Sequence, residues 1–117
     1  MLSTLSLFTN IITTFEILVQ DNRSDLSKTN VKLILKDNSV LFIREIIIDN
    51  VLFDYSYHWQ SANGLLIIRW DNAPHYPKLQ TFPHHKHIRS ESNVEISYET
   101  TLGDILNYIS IQITNKI

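Results

Sequence analysis

The chain of 117 residues has no cysteine. That absence excludes a disulfide framework, a thiolate nucleophile and any zinc site built on cysteine sulfur. Glycine occurs twice and proline three times, too seldom for a flexible linker or a disordered chain. No apolar run approaches the ~18 residues that a membrane helix needs. No basic residue precedes Arg23, so the positively charged start of a secretory signal is missing. An excess of one charge is missing too. The balance of 10 Lys+Arg against 12 Asp+Glu leaves a net charge of -2, which does not announce a nucleic-acid binder. These absences, with 44% hydrophobic and 19% charged residues, describe an ordinary globular chain, expected to be cytoplasmic and to form one domain over residues 1–117.

Isoleucine is abundant, at 17 positions, and favours strands over helices. Leu2, Leu5, Phe8, Ile12 and Phe15 recur at helical spacing, so residues 2–13 read as an amphipathic helix. A first strand is expected over residues 14–19, then a polar loop over 21–29. Residues 31–36, 40–48, 52–60 and 65–71 read as four further strands. Asp37-Asn38, Asp49-Asn50 and Asn63-Gly64 supply the turns between them. Connections this short require antiparallel neighbours. Residues 72–93 show no period, hold all the prolines and read as a long His-rich loop. Thr101 opens a last helix, with Asp104 placed to complete a capping box and Leu102, Ile105, Leu106 and Ile109 as its apolar stripe. The expected class is α+β: an N-terminal helix, an antiparallel meander of about five strands, a His-rich loop and a C-terminal helix.

A two-residue turn at Asn63-Gly64 sets Tyr57 opposite Trp70, His58 opposite Arg69 and Ser56 opposite Asp71. Alternation then divides the hairpin. Tyr55, Tyr57, Trp59, Ile68 and Trp70 share an apolar face, and Asp54, Ser56, His58, Arg69 and Asp71 share a polar one. A half-solvated sheet needs a polar face in any case. The residue types, however, are those of proton transfer and anion stabilisation.

Four of the five histidines stand at 75, 84, 85 and 87. The window from Arg69 to Arg89 carries +3 and the rest of the chain -5, so basic charge coincides with the histidines. Three readings fit the segment Pro83-His84-His85-Lys86-His87. His85 and His87 could ligate a metal from one face of an extended segment, with His75 or Asp71 as third ligand. The histidines could handle phosphate, one taking a proton from a ribose 2′-OH and another protonating the leaving oxygen. They could also simply order a proline-rich loop.

Three stretches carry a family resemblance: Tyr55-Ser56-Tyr57-His58, then Arg69-Trp70-Asp71-Asn72-Ala73-Pro74-His75, then Thr81-Phe82-Pro83-His84-His85-Lys86-His87. Together with Leu102-Gly103-Asp104-Ile105-Leu106 they resemble the TumE family of prokaryotic toxins over about residues 52–109. The family often has a second histidine after the one matching His75, and here Tyr76 stands in that place. The resemblance implies the toxin of a type II toxin–antitoxin pair, with a helix-turn-helix protein as antitoxin.

The residues themselves suggest how such a toxin would work: as a metal-independent endoribonuclease, needing no cofactor. The candidate catalytic set is His58, Arg69, Asp71, His84, His85, Lys86 and His87. His85 or His58 is the expected base, Arg69 and Lys86 the phosphate clamp, and Asp71 the group that orients a histidine. Tyr57, His75, Lys78 and Arg89 are candidate substrate contacts. The competing reading is a non-catalytic module whose His-rich loop docks an antitoxin or a metal ion. An exposed edge strand near residues 14–20 would suit a partner or a second copy in a homodimer.

Overall fold

The computed structural model describes residues 1–115. Seven antiparallel strands form one sheet in sequence order: β1 (Ile12–Asn22), β2 (Leu26–Leu35), β3 (Val40–Ile48), β4 (Val51–Gln60), β5 (Leu66–Asp71), β6 (His85–Ile88) and β7 (Val94–Ile96). A single helical turn, α1 (Leu2–Leu5), runs into a 3-10 turn over Ser6–Phe8 and precedes the sheet. Helix α2 (Leu102–Thr114) follows it. The class is α+β as expected, with seven strands in place of five.

The differences have local causes. The N-terminal helix stops at Phe8, not near residue 13, because Ile11-Ile12-Thr13-Thr14 is a β-branched run that prefers extended backbone. The expected loop over 21–29 shrinks to Arg23–Asp25, since Leu26 pairs with β3 and Ser27 to Asn30 pair on both sides with β1 and β3. Backbone hydrogen bonds hold these polar residues in strand, and propensity yields to the ladder. Two further strands come from the C-terminal end of the expected His-rich loop over 72–93 and the residues after it. β6 pairs with β5, and β7 with β6.

Turn chemistry sets the register. Asp49 and Asn50 both have positive φ, 51° and 65°, so they form a two-residue hairpin turn of the type whose twist suits the strands. The turn at Gly64 is longer than two residues. Ser61 N–H donates to the Leu65 carbonyl, and Gly64 takes φ 89°. Such a turn alone would pair the strands one residue out of step, and Gln60 does face Leu66. An irregularity between Trp59 and Gln60 then restores the expected pairs: Trp59 with Ile68, His58 with Arg69, Tyr57 with Trp70 and Ser56 with Asp71.

The core lies between α2 and one face of the sheet. Leu33, Leu41, Ile43, Tyr55, Tyr57, Trp59, Ile68 and Trp70 are buried there. Helix α2 answers with Leu102, Ile105, Leu106 and Ile109, and the edge of Tyr108 meets both tryptophans. The Thr101 hydroxyl accepts from Asp104 N–H as the capping pair predicts, while the Asp104 carboxylate reaches one residue further back than a capping box requires and accepts from Thr100 N–H. The opposite face of β3–β6 is left open, and the candidate site lies there.

Candidate functional site

Two rows of cross-strand neighbours cross the open face. One runs Arg44, Ser56, Asp71, His85, and the other Phe42, His58, Arg69, His87. The same alternation that buries Tyr57 and Trp70 therefore brings Arg69, Asp71, His85 and His87 together. They line an open cleft of about 560 Å³, shared with Arg44, Asp54, His75, Tyr76 and Glu91.

Asp71 is the hub. Its Oδ1 lies 2.9 Å from His85 Nε2 and accepts from Ala73 N–H at 3.1 Å. Its Oδ2 accepts from Arg69 Nε at 3.3 Å and lies 3.5 Å from His87 Nε2. Exposure is 8% for Asp71, 1% for His85 and 4% for His87, so these groups form the floor of the cleft.

Backbone carbonyls fix the tautomers. His85 Nδ1 lies 3.0 Å from the Pro83 carbonyl, and His87 Nδ1 lies 2.8 Å from the Glu91 carbonyl. A carbonyl oxygen only accepts, so each Nδ1 carries its proton and donates it. Both Nε2 atoms then turn toward the Asp71 carboxylate. The two imidazoles sit edge to face with centroids 5.0 Å apart, and the Tyr76 ring stands against His85 at 4.8 Å.

Arg69 is held from both sides, by Asp71 and by Glu91 Oε1 at 2.5 Å from its terminal nitrogen. Burial works against its charge, but the two carboxylates outweigh it and hold its pKa above the ordinary arginine value. Arg44 pairs with Asp54 at 2.9 Å on the cleft wall.

The remaining candidates lie elsewhere. Lys86 falls between the two cleft histidines in sequence and so points to the helix face. There its Nζ donates to Glu99 Oε1 at 3.0 Å, beside the Trp70 indole N–H on the same oxygen. His84 also faces that side. It stacks on Tyr55, whose hydroxyl lies 2.8 Å from His84 Nδ1. Tyr57 is wholly buried and donates its hydroxyl proton to Glu45 at 2.5 Å, and burial with that carboxylate pushes its pKa far up. His58 is on the cleft face, beside Phe42 and opposite Arg69, but does not line the cleft. Burial, then the Arg69 charge, lower its pKa. Of the candidate substrate contacts only His75 lines the cleft. Lys78 borders a small apolar groove with Tyr76, Pro77 and Leu79, and Arg89 is exposed in the β6–β7 turn with φ 67°.

Asp54, expected on this polar face, and Tyr76, which stands where the family often has a histidine, both line the cleft, and so do Glu91 and Arg44, which the sequence does not mark. Alternation along β3 and β4 places Arg44 beside Ser56 and could have found it. Glu91 arrives through a turn, and no periodicity signals it.

Asp71, His85 and His87 are the one group of three or more His, Cys, Asp or Glu residues placed to hold a metal ion among the described residues. Their ligating atoms all lie within 4.8 Å of one another. No helix among the described residues is long and apolar enough to cross a membrane.

A family model described as Toxin TumE matches residues 2–113. No curated protein and no solved structure matches the chain.

Proposed function

The chain belongs to the TumE toxin family, and from that premise we propose that it acts on RNA, as an endoribonuclease that cleaves by 2′-OH transesterification without a metal. One observation carries the reading. Two imidazoles with protonated, carbonyl-bound Nδ1 atoms turn their Nε2 atoms toward one carboxylate on the floor of a cleft that also holds an arginine.

The chemistry follows from counting protons. Two Nε2 lone pairs and a carboxylate crowd one small volume, and three acceptors cannot face each other unshared. One proton among them makes the pair one imidazolium and one neutral imidazole. The neutral ring takes the proton from the ribose 2′-OH as O2′ attacks phosphorus. The imidazolium gives its proton to the departing 5′ oxygen, and the product keeps a 2′,3′-cyclic phosphate. Arg69, aligned by Glu91 and Asp71, faces the charge that builds on the phosphorane oxygens. Asp71 orients both rings. Lys86 is not part of the clamp in this scheme, because Glu99 holds it on the other face.

A toxin needs restraint in the cell that makes it, and the family resemblance points to a helix-turn-helix antitoxin as the partner. The test is cleavage of total RNA by purified protein in EDTA. Wild type is expected to cut and leave cyclic phosphate ends. His85→Ala and His87→Gln are expected to lose at least 100-fold in rate, a typical contribution of general acid–base catalysis of about 10²–10⁴. Folded wild type that cuts no RNA, yet binds an antitoxin saturably, would make the chain a binding module instead.

A further inference from the structure

We infer that Asp71, His85 and His87 form a binding site for one divalent transition-metal ion, which replaces the shared proton and silences the toxin. The site is built as metal sites are built. Ligating imidazoles usually donate the second ring N–H to a backbone carbonyl or carboxylate, which fixes the tautomer and aims the other nitrogen. Here both rings do so, His85 to Pro83 and His87 to Glu91. The third ligand is itself steadied, because Ala73 N–H and Arg69 Nε bind the Asp71 carboxylate from outside. All three groups are buried, and their ligating atoms lie within 4.8 Å of one another. Metal bonds of about 2.0–2.2 Å would draw these atoms closer together than they stand.

The donor set selects the ion. Two imidazoles and a carboxylate suit Zn²⁺, Co²⁺ or Ni²⁺. Mg²⁺ and Ca²⁺ favour oxygen donors and bind weakly to such a set. The local charge also favours a dication. With neutral imidazoles, Arg69, Asp71 and the more exposed Glu91 sum to one negative charge around the site. Three protein ligands leave a fourth position facing the cleft, open to water.

Silencing follows from the lone pairs. An ion bonded to both Nε2 atoms occupies the base and removes the proton of the acid. Metal and acid–base pair exclude each other. This consequence rests on the ribonuclease reading, whereas the metal site does not.

The test uses the full-length protein titrated with cobalt(II) chloride and followed by visible absorption. Wild type is expected to bind one Co²⁺ with intense d–d bands of low coordination number, and Zn²⁺ is expected to displace it. Asp71→Asn, near-isosteric, and His87→Gln are expected to weaken binding at least tenfold. His84→Gln, on the opposite face, is expected to bind as wild type does. Melting curves for each variant separate lost ligands from lost fold, and wild type is expected to melt higher with Zn²⁺ than with EDTA. No bands in folded wild type, or equal affinity in Asp71→Asn, overturns the site. RNA cleavage in EDTA that falls as Zn²⁺ saturates supports the silencing, and cleavage that rises with Zn²⁺ overturns it. Absence of cleavage under every condition sinks the ribonuclease reading and leaves the cobalt result standing on its own.

Discussion

Lys86 and Tyr57 show how alternation assigns residues to faces. The string His84-His85-Lys86-His87 reads as one cluster in sequence, and strand geometry splits it. His85 and His87 go to the cleft, and Lys86 goes to Glu99 under the helix. Tyr57 goes the same way, with Glu45 as its partner. We expect Lys86→Met and Tyr57→Phe to retain RNA cleavage while losing stability. Breaking a hydrogen bond to a charged group costs about 1.5–3 kcal/mol, and urea denaturation reads the loss. Loss of cleavage in either folded variant would contradict the assignment of faces. The pairs His58–Arg69 and Ser56–Asp71 were legible from the aromatic alternation, and they hold although the turn is longer than two residues, because the irregularity between Trp59 and Gln60 takes up the extra residue. Glu91 was not legible, since it reaches Arg69 from a turn rather than from a repeating position.

Among the elements, β3 to β5 were the most legible. Tyr55-Tyr57-Trp59 alternates with polar residues, and that period admits only a strand with one buried face. β6 was obscured because its cleft-facing residues are histidines, whose burial depends on Asp71, far back in the sequence, as well as on the nearby carbonyls of Pro83 and Glu91. β2 was obscured at its polar start, where ladder bonds on both sides replace apolar burial. Helix α2 was legible from its cap and its stripe. It is also where the fold is most exposed to damage, because four of its side chains are wholly or nearly buried against the sheet. Leu106→Ala is expected to cost about 2–5 kcal/mol, the usual range for a buried leucine, read by denaturant unfolding. Cleft residues lie on the other side of the sheet, so the surviving folded fraction is expected to keep its activity per folded molecule.

For the whole molecule, acidity should matter before carboxylates titrate. His58 and His84 both have lowered pKa values in the folded chain, burial being the main cause, followed by the charge of Arg69 for His58 and of His85 for His84. Above about pH 7.5, a unit over the ordinary histidine value of about 6.5, both states leave these rings neutral and nothing is lost. As pH falls through about 6.5 the unfolded chain takes up protons that the folded chain refuses, so stability declines. The decline levels off once the folded pKa values are passed. Melting temperatures at pH 7.5 and 5.5 are expected to differ in wild type and to differ less in a His58→Gln, His84→Gln double variant. An equal drop in both proteins would assign the effect to other groups.

The order of strands in space equals their order in the chain, β1 to β7, with α2 last. A ribosome therefore releases the sheet from one edge to the other. Asp71 emerges before His85 and His87, and the helix that covers Trp59 and Trp70 emerges after all three. Until residues 102–114 leave the tunnel, the apolar face of β3–β5 has no cover, and the cleft on the reverse side rests on an unsupported sheet. A chain that still lacks α2 therefore lacks the packing that holds the floor of the cleft in register.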